Sequence, residues 1–109
     1  MTCKRYDIHW IDLNPTRGSE MRKRRPGVIV SLDVLNRSLE TVVICPVTSQ
    51  LHPDWRTRLP VKIARKPGEI AVDQIRAISR SRVGEKIGKL SERDAAALRR
   101  VLGEMYAEG

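Results

Sequence analysis

The chain has 109 residues, of which 40% are hydrophobic and 31% are charged. This length suits one folded domain, and this composition excludes a disordered chain. No run of 18 apolar residues occurs, so the sequence predicts no membrane-spanning helix. The formal net charge of +8 favours nucleic acid as the partner, with an acidic protein second and a membrane surface a weak third.

The cysteines predict no metal site, and the N-terminal segment favours a cytoplasmic protein. Cys3 and Cys45 lie far apart and do not resemble a metal-ligand pair. Cys45 lies in an apolar run and is expected to be a small buried hydrophobic residue. Residues 1–8 are polar and lack the apolar core of a signal peptide, so cytoplasmic location is the default expectation.

Short β-branched or alternating stretches predict a series of strands in chain order. These predicted strands cover residues 5–13, 28–31, 41–47, 58–63, 69–72 and 83–87. We expect a polar connection at 33–38, an irregular loop at 51–57, and a turn at 66–68. Pro46 is expected to bend or fray the third strand. Arg58 is expected on the charged outer face of the fourth strand, and Gly88 at the end of the last.

The clearest predicted element is a helix at the C-terminal end. Ser91, with Asp94 three residues later, fits an N-cap pair. The apolar residues of the segment then share one helical face: Ala95, Leu98, Val101, Leu102 and Met105. Short strands closed by one terminal helix predict a small, mainly β (α+β) fold, and we assign residues 1–109 to a single domain.

The most unusual stretch is residues 14–26, which read NPTRGSEMRKRRP. It holds five cations and one acid: Arg17, Arg22, Lys23, Arg24, Arg25 and Glu20. Like charges repel one another, and an ordered irregular loop loses chain entropy without burying much surface. The segment therefore indicates an anionic ligand, which we interpret as RNA.

Four motifs in this order resemble the MazF/PemK/Kid family of toxin endoribonucleases, and the resemblance covers almost the whole chain. The motifs are DIHWIDLNPTRGSE at 7–20, Arg25-Pro26, CPVTSQ at 45–50, and DQIR at 73–76; the block GKLS at 88–91 is also similar. The resemblance implies a CcdB/Kid-like, SH3-like barrel of five to seven strands with a C-terminal helix, working as a homodimer. It also implies metal-independent, sequence-specific cleavage of single-stranded RNA without a cofactor, and a cognate acidic, MazE-like antitoxin.

By motif position, the resemblance implies that Arg25 and Thr48 form the catalytic pair and that Glu20 assists as an acid or base. Arginine presents a fork of donors that suits phosphate oxygens, but its pKa above about 12 makes it a doubtful general acid. We assign RNA contacts to ten further residues: Arg17, Ser19, Arg22, Lys23, Arg24, Gln50, His52, Trp55, Gln74 and Arg76.

Several residues also have plainer interpretations. Arg25 alone could form a salt bridge, and Thr48 could bond its own backbone. Trp55 could stack on a base or fill the edge of the core. Trp10 we assign to the core, and His9 we interpret as structural. Residues 73–76 either line the RNA groove or hold the dimer.

Two other functions remain open on the sequence. One is a non-enzymatic, CcdB-like toxin that traps DNA gyrase by protein contact. The other is a plain nucleic-acid-binding barrel without strand scission.

Overall fold

The computed structural model describes residues 2–13 and 24–107. The helices and strands are β1 (Asp7–Asp12), β2 (Arg24–Ile29), α1 (Asp33–Ser38), β3 (Thr41–Thr48), β4 (Arg58–Ile63), β5 (Lys66–Ala71), β6 (Arg76–Ser79), β7 (Val83–Lys89) and α2 (Glu92–Tyr106). Two 3-10 turns, Val72–Gln74 and Arg80–Arg82, flank β6. The expectation of a small, mainly β fold with a C-terminal helix is confirmed.

Antiparallel pairing orders the sheet β4-β5-β3-β2-β1-β7, and β6 adds to β3. One edge of β3 pairs with β2, while the other pairs with β6 along 41–44 and with β5 along 47–48. Pro46 lies between these two segments, where the strand changes partner and a missing N–H costs no ladder hydrogen bond. The predicted fraying at Pro46 is therefore wrong, because β3 continues to Thr48.

Alternating side chains of the sheet supply two hydrophobic clusters. Val28 and Cys45 belong to a cluster that also holds Leu98 of α2. Their chain neighbours Ile29 and Ile44 belong to a second cluster, built from β1, β2, β3, β6 and β7. Because successive strand side chains point to opposite faces, β2 and β3 each contribute to both clusters.

Helix α1 replaces the polar connection predicted at 33–38. Its Asn36 is buried and donates a hydrogen bond to the carbonyl oxygen of Ser31 at 2.9 Å, while the Ser31 hydroxyl donates to Asn36 Oδ1. Arg80 Nη1 also donates to the carbonyl of Asn36. These tertiary hydrogen bonds stabilise a six-residue helix that the spacing of its apolar residues alone does not predict.

Three strand boundaries also differ from the prediction. Strand β2 begins at Arg24, because Asp12 and Ile11 of β1 pair with Arg24 and Arg25. The β4–β5 turn lies at 64–65, where both residues have positive φ, and residues 66–68 already belong to β5. Gly88 lies inside β7 rather than at its end.

The C-terminal helix agrees with its prediction. The Ser91 hydroxyl accepts a hydrogen bond from the Asp94 N–H at 3.1 Å, as an N-cap does. The buried residues of α2 are Ala95, Leu98 and Val101, on the predicted face. Among residues 2–13 and 24–107, no helix is long and apolar enough to cross a membrane.

Candidate nucleic-acid interface

Arg25 and Thr48 lie at the same end of the adjacent strands β2 and β3. The antiparallel register pairs Gly27 with Pro46, so Arg25, two residues earlier, and Thr48, two residues later, occupy matching positions. Both residues line one groove of about 460 Å³, which we call the main groove. The structure therefore brings together the two residues that motif position singled out.

The main groove combines positive charge with an apolar lining. Its described lining residues are Trp10, Arg24, Arg25, Pro26, Val47, Thr48, Ser49, Ile63, Ala64, Lys66, Pro67, Gly68 and Ile87. Three of them are cations and none is an acid. Apolar side chains can pack against nucleobases while cations contact phosphates, so this lining suits a single-stranded nucleic acid.

The polar groups of Arg25 and Thr48 are available to a ligand. Within the described residues, the half-buried Arg25 guanidinium has neither a hydrogen bond nor an ion pair, so the plain salt-bridge interpretation finds no support there. The Thr48 hydroxyl accepts a hydrogen bond from the Gln50 N–H at 3.0 Å. This bond is the backbone contact considered for Thr48, and it leaves the hydroxyl proton free to donate.

Five of the predicted site residues fall outside the described part of the chain. They are Arg17, Ser19, Glu20, Arg22 and Lys23. Of the five cations in this basic segment, the described structure therefore locates only Arg24 and Arg25.

The assignment of Trp10 to the core is wrong. Trp10 is 36% exposed and lines the main groove, and the Arg24 guanidinium lies 5.8 Å from the centre of its ring. Alternation places Trp10 on the same face as Ile8, but that face is left uncovered at the end of β1. Lys66 is a second lining residue that the sequence analysis did not single out.

The β3–β4 loop holds a stacked pair of aromatic rings away from the main groove. The His52 and Trp55 rings are 3.9 Å apart and nearly parallel, at 9°. Trp55 is 48% exposed, so it does not fill the edge of the core. The guanidinium of Arg58 lies 4.8 Å from the Trp55 ring centre.

A buried ionic network supports this loop. Arg58, predicted on an outer face, is instead buried; its Nε donates to Asp73 Oδ1 at 2.9 Å, and its Nη1 lies 3.6 Å from Glu69 Oε1. Glu69 also accepts the His52 N–H at 2.8 Å. Partial burial acts to raise the pKa of Asp73, but hydrogen bonds from Arg58, Thr57 and the backbone, together with the Arg58 charge, outweigh it and hold that pKa below its ordinary value.

The structure does not bring the remaining predicted contacts into the main groove. Gln50 is exposed beside Thr48, and its carbonyl accepts a hydrogen bond from Arg58 at 3.4 Å. Gln74 is exposed on the 3-10 turn before β6. Arg76 is exposed on β6, where it pairs with Ile44.

His9 and Cys45 are buried. His9 Nδ1 lies 2.9 Å from the carbonyl oxygen of Gly84 and donates to it, which supports a structural role. Burial raises the pKa of the Cys45 thiol to about 12, in line with its expected place in the core.

Comparison with known proteins identifies the class of this fold and groove. Residues 4–106 match the family described as PemK-like, MazF-like toxins of type II toxin–antitoxin systems. The chain is 31% identical over 100 residues to the endoribonuclease EndoA of Bacillus subtilis, covering 84% of each chain. It is also 31% identical over 98 residues to the endoribonuclease MazF of Staphylococcus saprophyticus, covering 83% of this chain and 79% of the relative.

Solved structures of toxins from this family have the same fold as this chain. MazF in a MazE–MazF crystal from Deinococcus radiodurans aligns with a TM-score of 0.81 at 25% identity, covering 96% of each chain. The Mycobacterium tuberculosis toxin MazF-mt6 aligns with a TM-score of 0.76 at 25% identity, covering 90% of this chain and 93% of that one. The chain belongs to the PemK-like, MazF-like toxin family.

Proposed function

We propose that this chain is a single-domain toxin that cleaves single-stranded RNA at specific sequences, without a metal ion. The observation that carries the proposal is the position of Arg25 and Thr48 in one cationic groove. The curated relatives named as endoribonucleases support the reaction class. The cytoplasm, where such RNA is found, is the proposed site of action.

The groove chemistry suits attack by the RNA's own 2′-oxygen on the adjacent phosphorus. A base takes the 2′-hydroxyl proton, the new P–O2′ bond forms, and the P–O5′ bond breaks as the 5′-oxygen takes up a proton from water. The products are a 2′,3′-cyclic phosphate and a 5′-hydroxyl. Arg25 stabilises the charge that builds on the phosphoryl oxygens, and Thr48 donates its free proton to one of them.

In this scheme Glu20, to which motif position gives the role of an assisting acid or base, acts as the base. No carboxylate or imidazole is among the described lining residues of the main groove, and Glu20 lies outside the described residues. In the sequence Glu20 lies among cations, and a carboxylate among cations favours its charged form, which keeps it available as a proton acceptor but makes it a weak base.

The test is cleavage of single-stranded RNA by the purified protein in a chelator, with the new ends mapped. We expect 2′,3′-cyclic phosphate ends at a recurring sequence, and a loss of roughly 10²–10³ in kcat for Arg25→Ala. Arg100→Ala is the matched control, since Arg100 is exposed on α2 and lines no part of the groove. Intact RNA, or cleavage that survives Arg25→Ala, would contradict the proposal.

The same assay separates the two rival functions. A plain binding barrel retains salt-sensitive RNA binding without any cut strand. A gyrase-trapping toxin inhibits supercoiling, and that inhibition survives Arg25→Ala.

An acidic antitoxin is the proposed protein partner. The chain carries 21 basic and 13 acidic residues, and a partly disordered acidic segment would neutralise this excess and fold on binding. One of the aligned solved structures is a MazE–MazF crystal. Capture of a small acidic protein from the native cell by the tagged chain tests this partner, and recovery of none would contradict it.

A second copy of the chain is the proposed partner at α1. Four large apolar side chains are 43–55% exposed around this helix: Leu32, Val34, Leu35 and Leu39. Isolated exposed apolar residues are ordinary, but a contiguous group marks an interface. Residues 32–40 carry one arginine and two acids, so two strongly basic chains can meet here without repulsion.

A further inference from the structure

A second cleft adjoins the main groove, and its shared wall consists of Trp10 and Arg24. This side cleft, of about 270 Å³, is also lined by Asp12, Ser81, Arg82, Val83 and Gly84. Trp10 and Arg24 line both depressions, so a chain that fills the main groove can continue across them.

The shared wall offers a surface for a nucleobase. Trp10 is 36% exposed, and the Arg24 guanidinium lies 5.8 Å from its ring centre. An exposed indole beside a guanidinium stacks any base, because every base has a π-face. The wall therefore combines stacking with positive charge.

Arg82 supplies a second cation to the lining of the cleft. It is half-buried, and within the described residues its guanidinium has no hydrogen bond or ion pair. The 3-10 turn that carries it is capped by Ser79, whose hydroxyl accepts the Ser81 N–H at 3.3 Å and lies 2.8 Å from the Ser81 hydroxyl. The cap therefore orders the backbone that carries Arg82, and its guanidinium is available to a phosphate oxygen.

The absence of a side chain at Gly84 leaves room for the Arg24 guanidinium in the shared wall. A Cβ at Gly84 would lie 2.9 Å from Arg24 Nη2 and 3.2 Å from the Trp10 carbonyl oxygen. The buried His9 holds Gly84 in place through its carbonyl, at 2.9 Å. A side chain larger than hydrogen would therefore displace the Arg24 guanidinium.

We propose that the side cleft binds one nucleotide of the substrate RNA next to the cleaved bond, with its base on Trp10 and Arg24 and its phosphate on Arg82. This inference rests on the proposed RNA cleavage and deepens it, since it makes the cleft a determinant of substrate affinity. It also explains why the wall is exposed rather than folded into the core.

The test uses Trp10 as a reporter. The chain has two tryptophans, so Trp55→Phe leaves Trp10 alone, and Arg25→Ala prevents cleavage of the bound RNA. Titration with a single-stranded RNA oligonucleotide should quench Trp10 fluorescence to saturation. Adding Arg82→Ala should weaken binding at least five-fold and reduce the slope of log affinity against log salt by about 0.7.

Two matched controls separate the cleft from general charge and backbone effects. Arg100→Ala removes the same charge from a residue that lines neither depression. Gly88→Ala adds a methyl group with nothing within 4 Å, whereas Gly84→Ala displaces Arg24 and should weaken binding several-fold. Urea unfolding of each variant shows that it is folded under the assay conditions.

The outcomes distinguish this inference from the proposed function. If the wild-type chain cleaves RNA but Arg82→Ala and Gly84→Ala bind RNA as well as their controls, only the proposal for the side cleft is wrong. If the wild-type chain does not cleave RNA but Arg82→Ala and Gly84→Ala still weaken RNA binding, the proposed activity is wrong and RNA binding by the side cleft is supported. In a cleaving enzyme, Trp10→Leu should raise KM several-fold with a smaller effect on kcat.

Discussion

The Thr48 hydroxyl accepts the Gln50 N–H at 3.0 Å, so its one proton points elsewhere. In the proposed reaction that proton is donated to a phosphoryl oxygen. Thr48→Val keeps the shape of the side chain but removes the donor, and we expect kcat to fall at least ten-fold. Thr48→Ser keeps the hydroxyl and should stay within a few-fold of wild type. Single-turnover cleavage measures both; full activity of Thr48→Val would contradict a role for the hydroxyl proton.

Trp55 is a second exposed tryptophan, stacked on His52. If RNA extends over the β3–β4 loop, Trp55→Ala should weaken RNA binding by about 1–3 kcal/mol, the range for one stacked base. Trp55→Phe should retain most of the affinity. Tyr106→Ala, at an exposed aromatic on α2, is the control. Binding by fluorescence anisotropy checks this, and equal affinity for Trp55→Ala and wild type would remove Trp55 from the RNA path.

Arg58→Met should lower the free energy of unfolding by about 3–5 kcal/mol, because it leaves the buried Glu69 without its cation. The control is Arg56→Met: Arg56 pairs with Glu104 on the surface at 3.3 Å. Exposed pairs contribute about 1 kcal/mol or less. Urea unfolding measures both variants. Similar small losses would mean that solvent reaches the Arg58 network.

The hydrogen bonds from Arg58 and Thr57 hold the pKa of Asp73 below its ordinary value of 3.8. A carboxylate with a lowered folded-state pKa stabilises the fold above its unfolded pKa, and this contribution disappears as pH falls through the folded value. The stability advantage of wild type over Asp73→Asn should therefore be constant above pH about 5 and shrink below 3.8. Urea unfolding across this range tests the sign; a difference that grows with acid would contradict it.

Leu35→Glu should convert the proposed dimer to a monomer, because it places a charge in the apolar group around α1. Leu51→Glu is the control, since Leu51 is similarly exposed but lies in the β3–β4 loop. Sedimentation velocity gives the mass of each. A dimer that survives Leu35→Glu would place the interface elsewhere.

Most of the secondary structure follows from the sequence alone. Alternation and β-branched runs located six of the seven strands, and Ser91 marked the start of α2, because both signals act between residues close in the chain. The short strand β6 was not predicted. Helix α1 gave no such signal. Its stability depends on Ser31 and Arg80, and the bond from Arg80 crosses 44 positions of the chain.

The candidate site was likewise predicted only in part from the sequence. Sequence motifs selected Arg25 and Thr48, but only strand pairing places them in one groove with Lys66 and Trp10. The contacts assigned to Glu20 and its basic neighbours remain predictions, since those residues lie outside the described structure.

The exposure of Trp10 and the burial of Arg58 could not be predicted from the sequence. Alternation assigns a residue to a face of the sheet, but only the arrangement of other elements decides whether that face is covered. Trp10 lies where the covering ends and is exposed. Arg58 is buried because Glu69 and Asp73, distant in sequence, compensate its charge. The sequence thus determined the elements and the charge of this protein, whereas tertiary packing decided which side chains meet a ligand.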